Sequence, residues 1–295
     1  MKQKHPMSNT LFGAAAVVAV MCIATTIAMA TEPCGDLGEC KALIEINTTA
    51  GDIGFHFLMD GDDLVKGEVR NPDGKKIFKV DAKRELREQF FTELFVESAE
   101  PLCFDPTNDD DAENDDEDFV MLEEFLERWA AGTYVFKGKG DEGEKSEGES
   151  ELTYELPAAP KDLMFDDVSG VISWAAGDDL GECANFEELT SLVSAGILPV
   201  HPIGVAVDAW EIVFEPDVDD GDHLGKLKFS IRVSGNLADF APLAVTVPAE
   251  YLASLPDDTL VKIEVGAIGE TDNATFTEVG DICVHGNEGC GDEEE

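Results

Sequence analysis

Two acidic stretches hold the side chains best suited to chemistry. In CFDPTNDDDAENDDEDF, Cys103 to Phe119, the residues Asp109, Asp111, Glu113 and Asp115 alternate along one run; in DVDDGDH, Asp217, Asp219, Asp220 and Asp222 surround Gly221. Carboxylates at this density suit a hard cation, and calcium takes about six to eight oxygens from a loop folded around it. These eight residues are therefore candidate calcium ligands, with calcium the candidate cofactor. An EF-hand loop has a Gly midway and a bidentate Glu at its end. Counted from Asp105 or Asp109 neither is in place, and in the second stretch Gly221 arrives one residue early. The competing reading is a solvated loop insertion, which chain entropy tolerates because closure cost rises only logarithmically with length. MDGDD, residues 59 to 63, is a third acidic turn open to the same two readings.

The cysteines offer different chemistry. Cys34, Cys40, Cys103, Cys183, Cys283 and Cys290 remain once the N-terminal segment is set aside. An even count in an exported chain predicts disulfides. CGDLGEC and CVHGNEGC are short Gly-containing loops able to close on themselves, pairing Cys34 with Cys40 and Cys283 with Cys290, which leaves Cys103 for Cys183. By chain entropy the short loops contribute roughly 2 kcal/mol each and the long one roughly 4 to 5. The alternative for the last loop is zinc on Cys283, His285 and Cys290.

Signs of catalysis are weaker. No G-x-S-x-G, H-E-x-x-H, phosphate-binding glycine loop or C-x-x-C occurs. His56, His201, His223 and His285 each read as surface or core histidines. Carboxylate pairs could serve glycoside hydrolysis, but among 64 acidic residues a pair at suitable separation arises by chance. The sequence predicts a protein that is not an enzyme, with a carboxylate-based glycoside hydrolase as the remaining catalytic option.

The address of these residues is set at the N-terminus. Lys2 and Lys4 precede an apolar run that closes on Ala28-Met29-Ala30, the form of a cleavable export signal over residues 1 to 30. The mature chain is expected to start at Thr31 and to be periplasmic or extracellular, with no membrane span after cleavage. Removing the signal leaves 18 basic against 64 acidic residues, a net charge of −46. That surface repels nucleic acid and anionic lipid, so the expected partner is a protein or glycan of the envelope or exterior.

The elements that position these residues read mainly as strands. ALIEIN, IGFHFLM, LVKGEVR and KKIFKVDA alternate apolar and polar residues, and Asn71-Pro72-Asp73-Gly74 makes a hairpin of the last two. A strand from Thr92 follows a short irregular approach over 84 to 91. Helix 119 to 129 carries Phe119, Leu122, Phe125 and Trp129 at helical spacing, with Asp118 placed as its cap. GTYVFKGKG and ESELTYEL flank DEGEKSEG as a hairpin with a mobile tip. LPAAPKD is a joint, after which a strand near 163 to 165, GVISWAAG, VDAWEIVFE, KLKFSIRVSG, PLAVTVPAEYL, TLVKIEVGAIG and ATFTEVGDICV suggest a two-sheet sandwich. Within it, insertion 178 to 204 contains a helix with a capping box at Asn185 and Glu188 and a stop at Gly196.

Trp174, Trp210 and TVPAEYLASLPDDTLVKIEVGAI resemble a fibronectin type III domain over about 160 to 285, although Val261 stands where that family has the Tyr of its tyrosine corner. TELFVESAEP, FLERWAAGTYVFKGKG and LTYELPAAP resemble immunoglobulin-like modules of secreted bacterial proteins. The resemblance implies an all-β chain of two sandwiches in series and brings no catalytic residue. The organisation is then a signal (1–30), a Cys-containing segment (31–41), an immunoglobulin-like sandwich (42–157) with acidic insertion 104–118, a fibronectin type III-like sandwich (158–285) and an acidic tail (286–295). Function is expected to be binding or structural support outside the cytoplasm, with a calcium-ordered module as the alternative.

The charge yields a first prediction. At about 1 M salt the Debye length falls to roughly 3 Å, which screens self-repulsion, so the melting temperature should rise from low to high sodium chloride. A melting temperature independent of salt would contradict it.

Overall fold

The computed structural model describes residues 34–106, 118–218, 222–235 and 243–285. The expected signal, the acidic tail, Asp109, Asp111, Glu113, Asp115, Asp219, Asp220 and Cys290 lie outside the described residues. The chain is all-β, its sheets packed in a sandwich-like arrangement.

Strand β1 (Glu39–Asn47) follows its alternation: Cys40, Ala42, Ile44 and Ile46 are buried and their neighbours half-buried. The two strands expected from IGFHFLM and LVKGEVR are one strand, β2 (Asp52–Arg70). It changes partners at Gly61–Asp63, where Asp63 takes a positive φ of 50°. Before this bend β2 pairs with β1 and with β4 (Phe91–Glu97), whose last pair is Leu64 with Phe91 just beyond it; after it, β2 pairs with β3 (Lys76–Asp81) and β5 (Gly132–Gly140). A strand that turns in this way lays two layers over one core of Ile44, Ile53, Phe55, Phe57, Phe125 and Phe136. The Asn71–Gly74 turn joins β2 to β3 as expected.

Several local expectations change. The approach to β4 is a helix, α1 (Arg84–Gln89), rather than irregular chain. Helix α2 (Leu122–Arg128) is capped at Met121, without a side-chain cap; Asp118 instead accepts the Leu102 N–H at its carbonyl, 3.1 Å away. Lys145–Gly148, placed in a mobile tip by its polarity, belongs to β6 (Lys145–Leu152). The reason is an edge partner: Asp36 donates its N–H to Glu147 O at 3.1 Å, and a Cβ on Gly148 would lie 2.4 Å from Cys34 O. The Cys34–Cys40 disulfide closes this loop over the β6 edge.

In the second half, β7 (Lys161–Asp166), β8 (Val171–Ala175) and β11 (Leu243–Thr246) form one sheet in the order β11-β8-β7. Facing it are β9 (Val207–Pro216), β10 (Phe229–Ser234), β12 (Thr259–Gly269) and β13 (Ala274–Val284), ordered β10-β9-β12-β13. Trp174 and Trp210 meet edge to face between them, centroids 5.7 Å apart. Strand β10 starts later than expected, after a 3-10 turn over Leu224–Lys226. The run ending in PAEYL leaves the sheet at Thr246 for helix α4 (Ala249–Leu252). Tyr251 of that helix donates its hydroxyl to Leu227 O at 2.9 Å, while Val261 is buried in the core.

The halves share one ten-stranded sheet, and Glu32–Glu295 form one unit. Strand β1 runs parallel to β13, pairing Glu45 with Ala274, Ile46 with Thr275 and Asn47 with Phe276. Asn273, fully buried, sits at the start of this seam. Its Oδ1 accepts the Ile44 N–H at 2.9 Å, and its Nδ2 donates to Thr153 O at 2.9 Å and Glu155 O at 3.2 Å. Both ends of the amide are used, and the partners fix its orientation.

Helix α3 (Phe186–Ala195) has the expected capping box and left-handed Gly196. Its apolar side, Leu189, Leu192 and Val193, packs into the core of the first half. Cys183 is bonded to Cys103, with Cα atoms 4.9 Å apart, so a disulfide also ties the insertion across.

Replacing Asn273 by Ala leaves a buried N–H and two carbonyls without partners, a loss of about 2 to 4 kcal/mol. Urea denaturation should read this as a lower midpoint; an unchanged midpoint would remove Asn273 as a structural tie.

Candidate metal centre

Because β2 turns Ile53, Phe55 and Phe57 into the core, Gly54 and His56 lie on the opposite face of the sheet. Glu45, paired with Gly54 across the β1–β2 ladder, lies on the same face. A third group arrives from the chain leaving β4. Ser98 donates its N–H to Phe55 O at 3.0 Å and accepts the Phe55 N–H at its hydroxyl, and Pro101 O accepts the Ile53 N–H at 3.1 Å. This segment is thus held along β2 and places Glu100 over Gly54. A Cβ at position 54 would stand 2.7 Å from His56 Nε2 and 2.8 Å from Glu100 Oε1. The glycine makes the space that the imidazole and carboxylate occupy.

His56 is 2% exposed and is touched edge-on by Phe95, centroids 5.8 Å apart. Its Nε2 lies 2.9 Å from Glu100 Oε1 and its Nδ1 3.8 Å from Glu45 Oε2. Among the described residues this is the one group of His, Cys, Asp or Glu that brings three ligand atoms within 4.8 Å of one another.

The surroundings are strongly acidic. Burial first, and then the charges of Glu100, Glu264, Glu97 and Glu211, push the Glu45 carboxyl up to about 7. Asp52 is raised to about 6, by burial and then by Glu100, against the opposing pull of the Asn47 backbone hydrogen bond and His56. Burial, followed by Glu278, also raises Glu264. These acids come from β1, β2, β4 and the segment after it on one side and from β9, β12 and β13 on the other, two groups joined because β13 pairs with β1.

The carboxylates singled out by sequence are placed differently. Asp217 follows β9 and donates its N–H to Leu260 O at 2.9 Å. Asp222 accepts the Leu224 N–H at 2.9 Å and lies 3.1 Å from His223 Nδ1, a local turn contact. Neither joins the three-ligand group. MDGDD does contribute to a concavity: Asp60, Asp62 and Asp63 at the β2 bend face Asp36 and the Asp141–Glu144 turn across an acidic cleft. Zinc on Cys283 is overturned, because Cys283 is disulfide-bonded and has no thiolate to offer, and His285 Nε2 is 2.9 Å from Leu252 O.

No family model matches the chain, and no curated protein matches it in sequence. Similar solved structures include a tetra-tandem repeat from the extending region of a large adhesion protein, at 9% identity and TM-score 0.26, covering 84% of this chain and 50% of that one. A 1.5-MDa bacterial ice-binding adhesin is similar at 11% identity and TM-score 0.23, over 83% of this chain and 65% of that one. Alpha-2-macroglobulin from E. coli is similar at 7% identity and TM-score 0.26, over 84% of this chain and 14% of that one. The chain thus spans half of the first of these proteins and less than two thirds of each of the others.

Missing from the sequence reading was the Gly54-x-His56 pair. A glycine inside an alternating strand marks a close approach, and the imidazole that follows it is the group that approaches. Glu45 and Glu100 carry no local mark.

The raised carboxyls set a pH dependence. Between about pH 4 and 7 the folded chain retains protons on Asp52 and Glu45 that the unfolded chain has released, so this group's contribution to stability is greatest at the acid end and declines as pH rises. Glu68 and Asp81, held below their usual range by Lys76 and Lys83, act in the opposite sense at lower pH. Glu45→Gln should match the wild type near pH 5 and exceed it in melting temperature at pH 8. Equal curves at both pH values would contradict the raised carboxyl of the half-buried Glu45.

Proposed function

We propose that this is an exported, non-catalytic binding or structural protein of the cell envelope or extracellular space. The observation that carries the reading is the Cys103–Cys183 disulfide, which joins the segment after β4 to the insertion of the second sandwich. Such bonds persist in oxidising compartments and are reduced in most cytosols. With the Cys34–Cys40 bond and the shared sheet, it favours a rigid unit suited to presenting surfaces rather than to opening and closing around a substrate.

The order β11-β8-β7 facing β10-β9-β12-β13 supports a fibronectin type III-like second module. The Tyr251 hydroxyl bond to Leu227 O supplies the tie that the corner Tyr would otherwise give. An immunoglobulin-like first module completes the reading, with an external protein or glycan as partner.

Cell fractionation of a bacterial host expressing the full chain, followed by alkylation and mass spectrometry, tests the address. The expected product begins at Thr31, lies outside the cytoplasm and carries Cys103 bonded to Cys183. An uncleaved, reduced chain in the cytoplasm would overturn the proposal.

A further inference from the structure

Three donors from separate parts of the chain lie within 4.8 Å of one another: Glu45 from β1, His56 from β2 and Glu100 from the segment after β4. We propose that they bind one divalent transition-metal ion, zinc by the chemistry of the donors. An imidazole nitrogen beside two carboxylate oxygens is a set that zinc accepts in a four-coordinate shell, with water in the remaining position. Calcium takes an all-oxygen shell of higher number, so the buried imidazole selects against it.

The site is built rather than incidental. The ring of His56 is fixed from one side by Phe95 and from another by the floor at Gly54, where any side chain would occupy the donors' space. The Ser98 and Pro101 hydrogen bonds to β2 hold the third donor in reach. Bonds of about 2.0 to 2.2 Å set tetrahedral donors roughly 3.4 Å apart. Glu100 Oε1, now 2.9 Å from Nε2, would move out slightly and Glu45 Oε2, now 3.8 Å from the other ring nitrogen, would swing in; both side chains, 42% and 37% exposed, have that freedom and leave the open side to water.

Charge acts in the same direction. One imidazole faces Glu45 and Glu100, with Glu97 on β4, Asp52 on β2, Glu211 on β9 and Glu264 on β12 close enough to act on the carboxyl groups. Arg232 pairs with Glu211, and Lys262 reaches Glu278 and Glu215. A dication among the remaining carboxylates lowers their mutual repulsion. The five described cysteines are disulfide-bonded and offer no competing thiolate.

Calorimetric titration of the oxidised mature chain with zinc, in high sodium chloride and excess magnesium to suppress loose binding to the acidic surface, tests the site. Cobalt absorption spectroscopy supplies a second readout. The expected result is one saturable equivalent, weakened at least tenfold by Glu100→Gln and lost in His56→Phe, with the visible cobalt bands lost in parallel. Glu100→Gln changes a partly exposed side chain, so it keeps the test decisive should His56→Phe fail to fold. No saturable zinc binding, binding unchanged in the variants, or calcium displacing zinc at equal concentration would each overturn the proposal. None of these outcomes touches the export reading, which is tested separately.

Discussion

The parallel pairing of β1 with β13 is the constraint on which the rest of the molecule depends. Parallel strands need a long connection between them, and here the intervening chain is nearly the whole protein. Such a contact is costly to form early, because its loop must close before the pairing rewards it. Once formed, it makes two cores into parts of one sheet. Asn273 secures the start of the seam by meeting β1 and the joint after β6 with one amide. The threonines extend the tie: Thr48 donates its hydroxyl to Phe276 O, and Thr277 donates to Pro160 O.

The same pairing creates the electrostatic problem at the sheet face. Without it, Glu211 and Glu264 would belong to one half of the chain and Glu45, Glu97 and Glu100 to the other. Burial, and then the charges brought together here, raise the carboxyl of Glu45, and His56 lies against Glu45 and Glu100. On a chain whose net charge is −44, added repulsion at a half-buried seam opposes stability unless a proton or a cation offsets it. Stability and occupancy of the face are therefore coupled through one strand pairing.

What was legible in the sequence was local. Alternation marked β1, the Pro-Asp-Gly turn marked the β2–β3 hairpin, and Asn185 with Glu188 marked the start of α3, because each signal lies within a few residues of the structure it sets. The Cys103–Cys183 bond was reachable only because short Gly-containing loops suggested local partners for the other cysteines. What was not legible depends on distant chain. The polar Lys145–Gly148 becomes a strand because Cys34–Asp36 borders it, and the apolar side of α3 says that it is buried but not by which half. Glu100 looks like any other glutamate until Ser98 and Pro101 are seen bonded to β2. The acidic runs drew attention by composition, whereas the group with convergent donors combines one inconspicuous histidine with two ordinary glutamates.

The shared sheet makes the two halves one cooperative unit, and the chain's own tryptophans can test this. Trp129 stacks on Phe55 in the first core, ring centroids 4.1 Å apart, while Trp174 and Trp210 report on the second. Urea unfolding would be followed by fluorescence in a Trp129→Phe variant and in a Trp174→Phe/Trp210→Phe variant, each referenced to far-ultraviolet circular dichroism of the same sample. The shared sheet predicts that fluorescence and dichroism coincide in both, as a single transition requires. Fluorescence midpoints separated from the dichroism in opposite directions in the two variants would show two independent modules and contradict the account.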